Sequence, residues 1–167
     1  EGRAMSAWPV LLLGGSGYVA GEFLRLIAQH PRLELGCAIS TSQAGEPIAA
    51  AFPHLAGAYP DERFASLEAA IERLGSFEHS VLLSAAPHGV SAAMIDKLLT
   101  AAEQAGTRPR VVDISADFRY TTESAYQAVY KHGHGAPGRL AEFTCAVPEH
   151  LNALHTPHVA HPGCFAT

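Results

Sequence analysis

A short apolar run followed by clustered glycines constrains the fold of this chain more than any other feature of its sequence. Residues 10–13 are Val-Leu-Leu-Leu, and glycines follow at positions 14, 15 and 17. An apolar run of this length without alternation indicates a strand buried on both faces, as in a parallel sheet. Residues 17–30 then repeat apolar side chains at helical spacing before Pro31, a typical helix stop. The segment predicts a strand, a glycine turn and a helix.

The same alternation continues along most of the chain. We predict further buried strands at residues 33–40, 81–86 and 110–114, and helices at residues 66–74 and 90–105. Later we expect a short helix near 123–130, a loop at 131–139, a strand at 143–147 and a short helix at 149–154. Strands that alternate with helices predict βαβ units and a mostly parallel sheet. The expected fold class is therefore α/β, a Rossmann-like doubly wound sheet.

Composition and charge narrow the range of functions. The 167 residues include 48% hydrophobic residues, which suits one domain with a substantial core. The net charge is −5 and no run of basic residues occurs, so nucleic acid is not an expected partner. The longest apolar stretch, residues 7–13, is far shorter than the ~20 residues of a membrane-spanning helix, and no membrane association is expected.

Cysteine and histidine usage bears on the compartment and on metals. The three cysteines lack the spacing of a disulfide framework, which predicts a reducing, cytoplasmic environment. Cys37 and Cys145 lie inside predicted strands and are interpreted as small buried residues. The ten histidines form no metal-binding pattern, so no metal is predicted. Lone loop histidines are expected to be solvated, here those at positions 88, 132, 134, 155, 158 and 161.

The glycine turn is the first candidate site. Gly14, Ser16, Gly17 and Tyr18 lie where the first predicted strand meets the first helix. Glycines there let the backbone approach a pyrophosphate, and the helix N-terminus presents unpaired N–H groups to the anion. Such a turn can also merely join a strand to a helix, but its place after the first strand of an alternating chain favours dinucleotide binding.

The end of the second predicted strand bears on which dinucleotide binds. An NAD site usually has an acidic residue there that holds the ribose hydroxyls, whereas this chain has Ser40, Thr41, Ser42 and Gln43. Hydroxyl groups can donate hydrogen bonds to a 2′-phosphate without repelling it, which favours NADP(H) over NAD(H). Hydroxyl clusters are also common in ordinary loops.

Cys164 is the candidate nucleophile. It follows Pro162 and Gly163, which form a sharp turn, and a cysteine that then opens a helix has a lowered pKa because of the helix dipole. Its thiolate can attack an acyl carbon.

Arg119 is the candidate substrate-binding residue. It ends the segment 113–119, which follows a predicted strand and therefore lies where open α/β sheets place ligands. Its guanidinium could clamp a phosphate or a carboxylate through two hydrogen bonds. A surface ion pair with Asp113 or Asp117 is the alternative.

Six segments together carry a resemblance to a known family. They are Gly14-Gly-Ser-Gly-Tyr18, His30-Pro31, Ala85-Ala-Pro-His-Gly89, Ser115-Ala-Asp-Phe-Arg119, Pro148-Glu149 and His161-Pro-Gly-Cys-Phe-Ala-Thr167. In this order they resemble the N-acetyl-γ-glutamyl-phosphate reductases of the semialdehyde dehydrogenase superfamily, over nearly the whole chain. Gly163 favours this arginine-pathway branch, because aspartate-semialdehyde dehydrogenases typically have Asn there.

The resemblance implies a reaction and a set of roles. The cysteine matching Cys164 attacks an acyl phosphate, phosphate leaves, and NADPH reduces the thioester to a semialdehyde. Arg119 matches the arginine that faces the substrate phosphate. The residues matching the cofactor site are Gly14, Ser16, Gly17 and Tyr18 in the glycine loop, Ser40 and Ser42 near the adenosine phosphate, and Ala86 and Pro87 near the nicotinamide.

Three positions depart from the family pattern, and so does the length. Ala20 replaces a common glycine, Gln43 an arginine, and His161 an asparagine. Family members continue for about as many residues again, with the substrate and dimerisation domain and the general acid/base histidine. The resemblance thus implies an NADP-binding domain at residues 5–160 and the start of a truncated catalytic domain at 161–167. The fragment alone is expected to be inactive, and the full-length protein is expected to be a homo-oligomer.

Two other functions fit the same residues. One is a non-catalytic dinucleotide-binding module in which Cys164 is incidental. The other is a lysine-pathway reductase that acts on an aminoadipyl phosphate held by a carrier protein. In every case the expected partner is a small molecule or its carrier.

Overall fold

The fold is a six-stranded sheet in which every strand pair is parallel, with helices packed on it. The computed structural model describes residues 6–164. In chain order the strands are β1 Trp8–Leu13, β2 Leu33–Ile39, β3 Val81–Ser84, β4 Arg110–Asp113, β5 Phe143–Cys145 and β6 His158–Ala160, and their spatial order is β2-β1-β3-β4-β6-β5. The helices are α1 Tyr18–Gln29, α2 Ile48–Ala51, α3 Leu67–Leu74, α4 Ser91–Ala105 and α5 Glu123–Tyr130, with 3-10 turns at Pro53–Leu55, Pro137–Glu142 and Pro148–His150.

The interior strand β1 contributes side chains to the hydrophobic clusters on both faces of the sheet. Its residues 10–13 are fully buried because side chains on both faces meet helices. Leu11 and Leu13 pack in a cluster with Leu98 of α4, whereas Leu12 packs with Leu24 of α1 on the opposite face. Complete burial of one leucine side chain contributes roughly 2 kcal/mol, so this continuous apolar run favours an interior position for β1, between β2 and β3.

Helix α4 is the longest of the five α-helices within residues 6–164, and a glycine accounts for the position of its C-terminal end. The buried residues Ala92, Ile95, Leu99 and Ala102 recur at helical spacing on one face. The helix stops at Gly106, which has a φ of 74° and donates its N–H to the carbonyls of the last turn. Glycine adopts this left-handed conformation without steric cost.

One face of the sheet is covered unevenly. On β3 and β4, Leu82 and Val111 face the α4 cluster and are buried. Their neighbours on the other face, Val81, Leu83 and Val112, are only half-buried. Within residues 6–164, this second face is therefore well covered over β1 and less well covered over β3 and β4.

The structure confirms the α/β fold and most of the predicted strands and helices, with several differences. Strand β6 was not predicted, strand β5 ends at Cys145 instead of residue 147, and the 3-10 turn Pro137–Glu142 begins inside the predicted loop. Strand β3 ends at Ser84, two residues before the predicted end, since Ala85 turns toward the loop after β1. Helix α2 and the 3-10 turn at Pro53–Leu55 lie in a segment for which no element was predicted. The helix predicted at 149–154 is wrong: only one 3-10 turn, Pro148–His150, forms there, and six residues are too few for a stable helix without strong packing.

Two other expectations concern the domain boundary and membrane-spanning helices. The domain boundary predicted after residue 160 stays a prediction, since residues 165–167 lie outside the described part. No helix within residues 6–164 is long and apolar enough to cross a membrane.

A buried histidine at the start of β6 gives a pH-dependence prediction. Burial lowers the pKa of His158 from 6.5 to about 4, so between these pH values the unfolded chain binds a proton that the folded chain does not. Stability should therefore fall as the pH falls from 6.5 toward 4. Urea unfolding at several pH values would measure this slope, and His158→Gln should reduce it. An equal slope in His30→Gln, whose ring is exposed, and in His158→Gln would contradict the assignment.

Candidate functional site

The loop after β1 is wedged between the loops that follow its two neighbouring strands. Gly14 has a φ of 69°, and a Cβ on it would lie 2.6 Å from the carbonyl oxygen of Ala85. Gly15 donates its N–H to the carbonyl of Ile39 over 2.8 Å. Only glycine fits such a close approach with a positive φ, so the glycine turn brings three strand ends together at one edge of the sheet.

The first turn of α1 is open to an anion. Gly17 is the N-cap residue and supplies no side-chain hydrogen bond to the first turn, so the helix N-terminus lacks the usual side-chain cap. Tyr18 is 95% exposed. The glycine turn and this helix start provide the uncapped amides and the space that a pyrophosphate requires.

Two serines fasten the loop after β2 to the glycine turn. The hydroxyls of Ser16 and Ser40 are 2.9 Å apart and hydrogen bonded, and the N–H of Gln43 donates to Ser40 Oγ over 3.2 Å. Ser40 is buried, whereas Thr41 and Ser42 are exposed. Ser40 therefore shapes the loop from inside, and the hydroxyls free to meet a ligand are those of Thr41 and Ser42.

The loop after β3 completes the side of the site next to the glycine turn. A Cβ on Gly14 would also lie 2.8 Å from the backbone nitrogen of Ala86. Ala86 is buried and Pro87 is exposed. The structure thus brings together the glycine loop and the two residues predicted near the nicotinamide.

A buried carboxylate, Asp117, ties the loop after β4 to the loop after β3. Its oxygens accept hydrogen bonds from the N–H groups of Gly89 (2.8 Å) and Ala92 (3.0 Å) and from the Tyr126 hydroxyl (3.1 Å). Ala92 lies in the first turn of α4, where a negative charge is favourable. Asp117 therefore caps α4 from a distant loop and fixes the spacing between the two loops.

Asp113, at the end of β4, is the centre of a second buried network. It accepts hydrogen bonds from the Ser91 hydroxyl (2.9 Å), the Ser115 N–H (3.0 Å) and the Ser115 hydroxyl (2.7 Å). Since Ser91 donates its proton to Asp113, Ser84 donates to Ser91 over the 2.6 Å that separates their hydroxyls. Burial raises the pKa of Asp113 despite these hydrogen bonds. These contacts make Asp113 a structural anchor beneath the site.

Arg119 lies against the turn that carries Cys164. Its Nε donates to the carbonyl of His161 over 3.0 Å and one Nη to the carbonyl of Ile114 over 3.1 Å. A Cβ on Gly163, whose φ is 103°, would lie 2.9 Å from the guanidinium. No ion pair between Arg119 and Asp113 or Asp117 forms within the described residues, so that alternative interpretation is wrong. The arginine instead joins the loop after β4 to the turn after β6.

The three cysteines have different surroundings. Cys164 is exposed in the turn after β6, and the helix expected to follow it lies outside the described residues. Cys37 is buried as predicted, and burial raises the pKa of its thiol to about 11. Cys145 is exposed, so its interpretation as a buried residue is wrong. The physical reason is that Cys145 ends β5, which is an edge strand of the sheet.

Two histidines, His88 and His134, support the site in ways that the sequence did not indicate. His88 accepts a hydrogen bond at Nδ1 from the N–H of Ala116. His134 accepts one at Nδ1 from Ala136, so its protonated Nε2 donates to the carbonyl of Asp117 over 2.7 Å. His134 and His158 are buried, so the prediction that these loop histidines are solvated is wrong. No group of histidine, cysteine, aspartate and glutamate side chains in the described part of the chain could hold a metal ion.

Comparison with known proteins decides the family. Residues 9–154 match the model of "Semialdehyde dehydrogenase, NAD binding domain". The chain belongs to the semialdehyde dehydrogenase family. As in the resemblance seen in the sequence, it is 39% identical over 158 residues to the N-acetyl-gamma-glutamyl-phosphate reductase of Ectopseudomonas mendocina (strain ymp). It is 38% identical over 158 residues to a putative [LysW]-L-2-aminoadipate/[LysW]-L-glutamate phosphate reductase of Aeropyrum pernix.

These relatives are longer than this semialdehyde dehydrogenase chain. Each alignment covers 93% of the chain but only 43% and 42% of the respective relative. Among solved structures, aspartate semialdehyde dehydrogenase with NADP from Candida albicans matches with a TM-score of 0.53 and 20% identity over 71% of this chain and 32% of that one. This likeness supports the Rossmann-like fold of the dinucleotide-binding domain and nothing finer.

The residues of this semialdehyde dehydrogenase domain fit a dinucleotide. The uncapped start of α1 suits a pyrophosphate, and the left-handed Gly14 gives the close backbone approach. The predicted site residues of the glycine turn, of the loops after β2, β3 and β4, and of the turn after β6 all lie at the carboxyl edge of one parallel sheet. This is the edge at which open α/β sheets bind their ligands.

Proposed function

We propose that this chain is the NADP(H)-binding portion of a reductase that converts N-acetyl-γ-glutamyl phosphate into the corresponding semialdehyde through a thioester on Cys164. The observation that carries the proposal is the packing of Arg119 against the Cys164 turn, at the same sheet edge as the glycine loop. A phosphate-binding cation, a thiol and a dinucleotide loop at one edge are the groups that this reaction needs.

The chemistry assigned to the chain's own residues begins with the thiol. The Cys164 thiolate attacks the acyl carbon, a bond forms between sulfur and carbon, and the bond from that carbon to the phosphate oxygen breaks as inorganic phosphate leaves. The positive charge of Arg119 binds the phosphate before it leaves. When bound, NADPH would supply the hydride that reduces the thioester carbon, and the bond from that carbon to sulfur then breaks, which releases the semialdehyde and returns Cys164 as the thiolate.

Arg119 has a second role in this proposal. Two of its donors are committed to the carbonyls of His161 and Ile114, so the guanidinium is held in one place. A held cation loses little side-chain entropy when it binds phosphate. The same contacts set the path of the chain toward Cys164, so the substrate cation and the nucleophile keep a constant separation.

The preference for NADP(H) rests on the loop after β2. Ser42 and Thr41 are exposed, and the acidic residue that usually holds the ribose of NAD is missing. We assign the 2′-phosphate to these hydroxyls, with Ser40 holding the loop through Ser16.

Replacement of Ser42 by glutamate tests this cofactor assignment. Ser42→Glu places a negative charge where the 2′-phosphate would lie, and a like charge that costs about 1.4 kcal/mol weakens binding about tenfold. We expect the Kd for NADPH to rise at least about tenfold and that for NADH to change little. Fluorescence titration of both nucleotides measures this, with Ser42→Ala as the uncharged control. Equal weakening of both nucleotides would contradict the assignment.

A second candidate substrate is an acyl phosphate on a carrier protein. The similarity to the Aeropyrum pernix protein, at 38% identity, is close to that of the acetylglutamyl-phosphate reductases. Both substrates place the same acyl phosphate before Cys164, so this chain serves either reaction with the same residues.

The proposed function is tested on a protein in which this chain is joined to the remaining region of a relative, the part that lies outside the match. N-acetylglutamate semialdehyde, inorganic phosphate and NADP⁺ should yield NADPH, and Cys164→Ala should abolish the reaction. Turnover only with the carrier-bound semialdehyde would favour the second candidate. Tight nucleotide binding without phosphate-dependent turnover on either substrate would overturn both and indicate a non-catalytic dinucleotide-binding module.

The proposal includes a cellular compartment and an oligomeric state. We place the protein in the cytoplasm, because all three cysteines are free thiols and such thiols persist in a reducing compartment. We also propose that the full-length protein is a homo-oligomer.

A further inference from the structure

A cavity lies at the opposite edge of the sheet from the candidate site. It has a volume of about 630 Å³ and is formed where β1, β4 and β6 begin and α4 ends. This volume is within the range of ordinary small-molecule pockets. Its apolar wall includes Trp8, Leu99 and Ala102, of which the last two are buried. The cavity is thus a formed concavity with a hydrophobic lining, distinct from the dinucleotide loops.

The cavity has an aromatic wall. The indole of Trp8 stacks on the imidazole of His79 with ring centroids 5.2 Å apart and planes 16° from parallel. Stacking on His79 holds the indole in one orientation, so little entropy is lost when a flat ligand packs against it. Trp8 is also the one tryptophan in the sequence.

Two cations at the cavity lack carboxylate partners. Arg108 and Arg110 line it, and neither forms an ion pair within residues 6–164. The acidic residues of the lining, Glu103 and Glu142, are instead both hydrogen bonded by Arg139. Arg108 and Arg110 are therefore the charged lining residues that no ion pair engages within residues 6–164.

A buried histidine adds a hydrogen-bond donor. His158 lines the cavity and is only 5% exposed. Its Nδ1 accepts a hydrogen bond from the N–H of Val111 over 3.2 Å, so the neutral ring carries its proton on Nε2. That nitrogen lies 3.6 Å from Glu142, which is too long for a good hydrogen bond. The N–H can therefore donate to a ligand.

We propose that this cavity binds a planar aromatic anion, with its ring against Trp8 and Leu99 and its carboxylate or phosphate between Arg108 and Arg110. A flat ring matches the indole wall, and guanidinium groups bind both oxyanions through paired hydrogen bonds. Buried His158 gives an additional donor. The site goes beyond the proposed reductase function, since no residue of the dinucleotide or thiol site takes part in it.

The single tryptophan makes the proposal testable on the chain itself. Adenosine 5′-monophosphate and benzoate, which carry the two kinds of anion, should each change Trp8 fluorescence and its indole N–H signal saturably. Adenosine and inorganic phosphate alone should bind at least about tenfold more weakly. Nucleotide at the glycine turn should not give this signal, because the six residues of β1 separate the two places by about 20 Å.

The variant Arg108→Gln with Arg110→Gln should weaken binding of both anions at least about tenfold. Arg63→Gln, which replaces an exposed arginine outside the cavity lining, is the matched control and should bind like the parent chain. Circular dichroism and urea unfolding establish whether each variant is folded. If the double variant does not fold, Arg108→Gln and Arg110→Gln are measured separately in its place. Loss of the signal for one anion only would identify the group that binds. No saturable signal with either anion, or equal affinity in the double variant, would overturn the proposal.

Discussion

Gly14→Ala is expected to destabilise the chain by about 4 kcal/mol and to abolish nucleotide binding. The left-handed backbone alone costs an alanine roughly 1–2 kcal/mol. The new Cβ would in addition lie 2.6 Å from a backbone oxygen, that of Ala85, and backbone on both sides cannot move without shifting strand ends. A loss of this size is a large part of the 5–15 kcal/mol that stabilises a typical domain.

Gly45→Ala is the matched control for this prediction. Gly45 has a φ of 87°, yet no atom lies within 4 Å of the Cβ it would gain. Gly45→Ala should therefore lower the stability only by the roughly 1–2 kcal/mol that a left-handed backbone costs an alanine. Urea unfolding gives both stabilities, and NADPH titration at a temperature where both are folded gives the affinities. If the two variants lose equal stability, the close approach of the loops after β1 and β3 is not the reason for Gly14.

Asp117→Ala is expected to cost about 3–5 kcal/mol. The substitution leaves the N–H groups of Gly89 and Ala92 and the Tyr126 hydroxyl without their acceptor. Each unsatisfied buried polar group costs about 1–3 kcal/mol, and the change also leaves a space next to Tyr126. The loop that bears Pro87 should lose its fixed position, so nucleotide affinity should fall as well.

Asp96→Ala, in helix α4 whose first turn Asp117 caps, is the control for Asp117→Ala. The Asp96 side chain is 43% exposed and pairs with Arg139, which is 13% exposed and also pairs with Glu103 and Glu142. Because Arg139 keeps two carboxylate partners when Asp96 is removed, we expect a loss of about 1 kcal/mol. Urea midpoints of the two variants compare them directly. A loss for Asp117→Ala no larger than that for Asp96→Ala would show that the buried carboxylate does not hold the two loops together.

The local pattern of the sequence predicts the fold because each element shows its own period. The run at residues 10–13 predicts a strand buried on both faces, and the recurrence from Ala92 to Ala102 predicts α4. Where the pattern is brief, as at α2 and at residues 149–154, the packing of neighbours decides and the sequence prediction differs from the structure. The position of the candidate site follows from the parallel sheet, since its predicted residues all come after strands.

Contacts between distant segments could not be predicted. Asp117 meets Gly89 across a separation of 28 residues, and no spacing in the sequence indicates that pairing. The role of Ser40 as a buried partner of Ser16 likewise depends on the register of β1 and β2. Cys145 lies in a strand, as expected, but its exposure depends on where β5 lies in the sheet.

A crystal structure of the protein with bound NADP⁺ tests the central claim most directly. The account predicts the pyrophosphate at the N-terminus of α1 beside Ser16 and Tyr18, the 2′-phosphate beside Ser42, and the nicotinamide ring between Pro87 and the sulfur of Cys164. A nucleotide bound away from the carboxyl edge, or a Cys164 sulfur that points away from the nicotinamide with another group in its place, would contradict it.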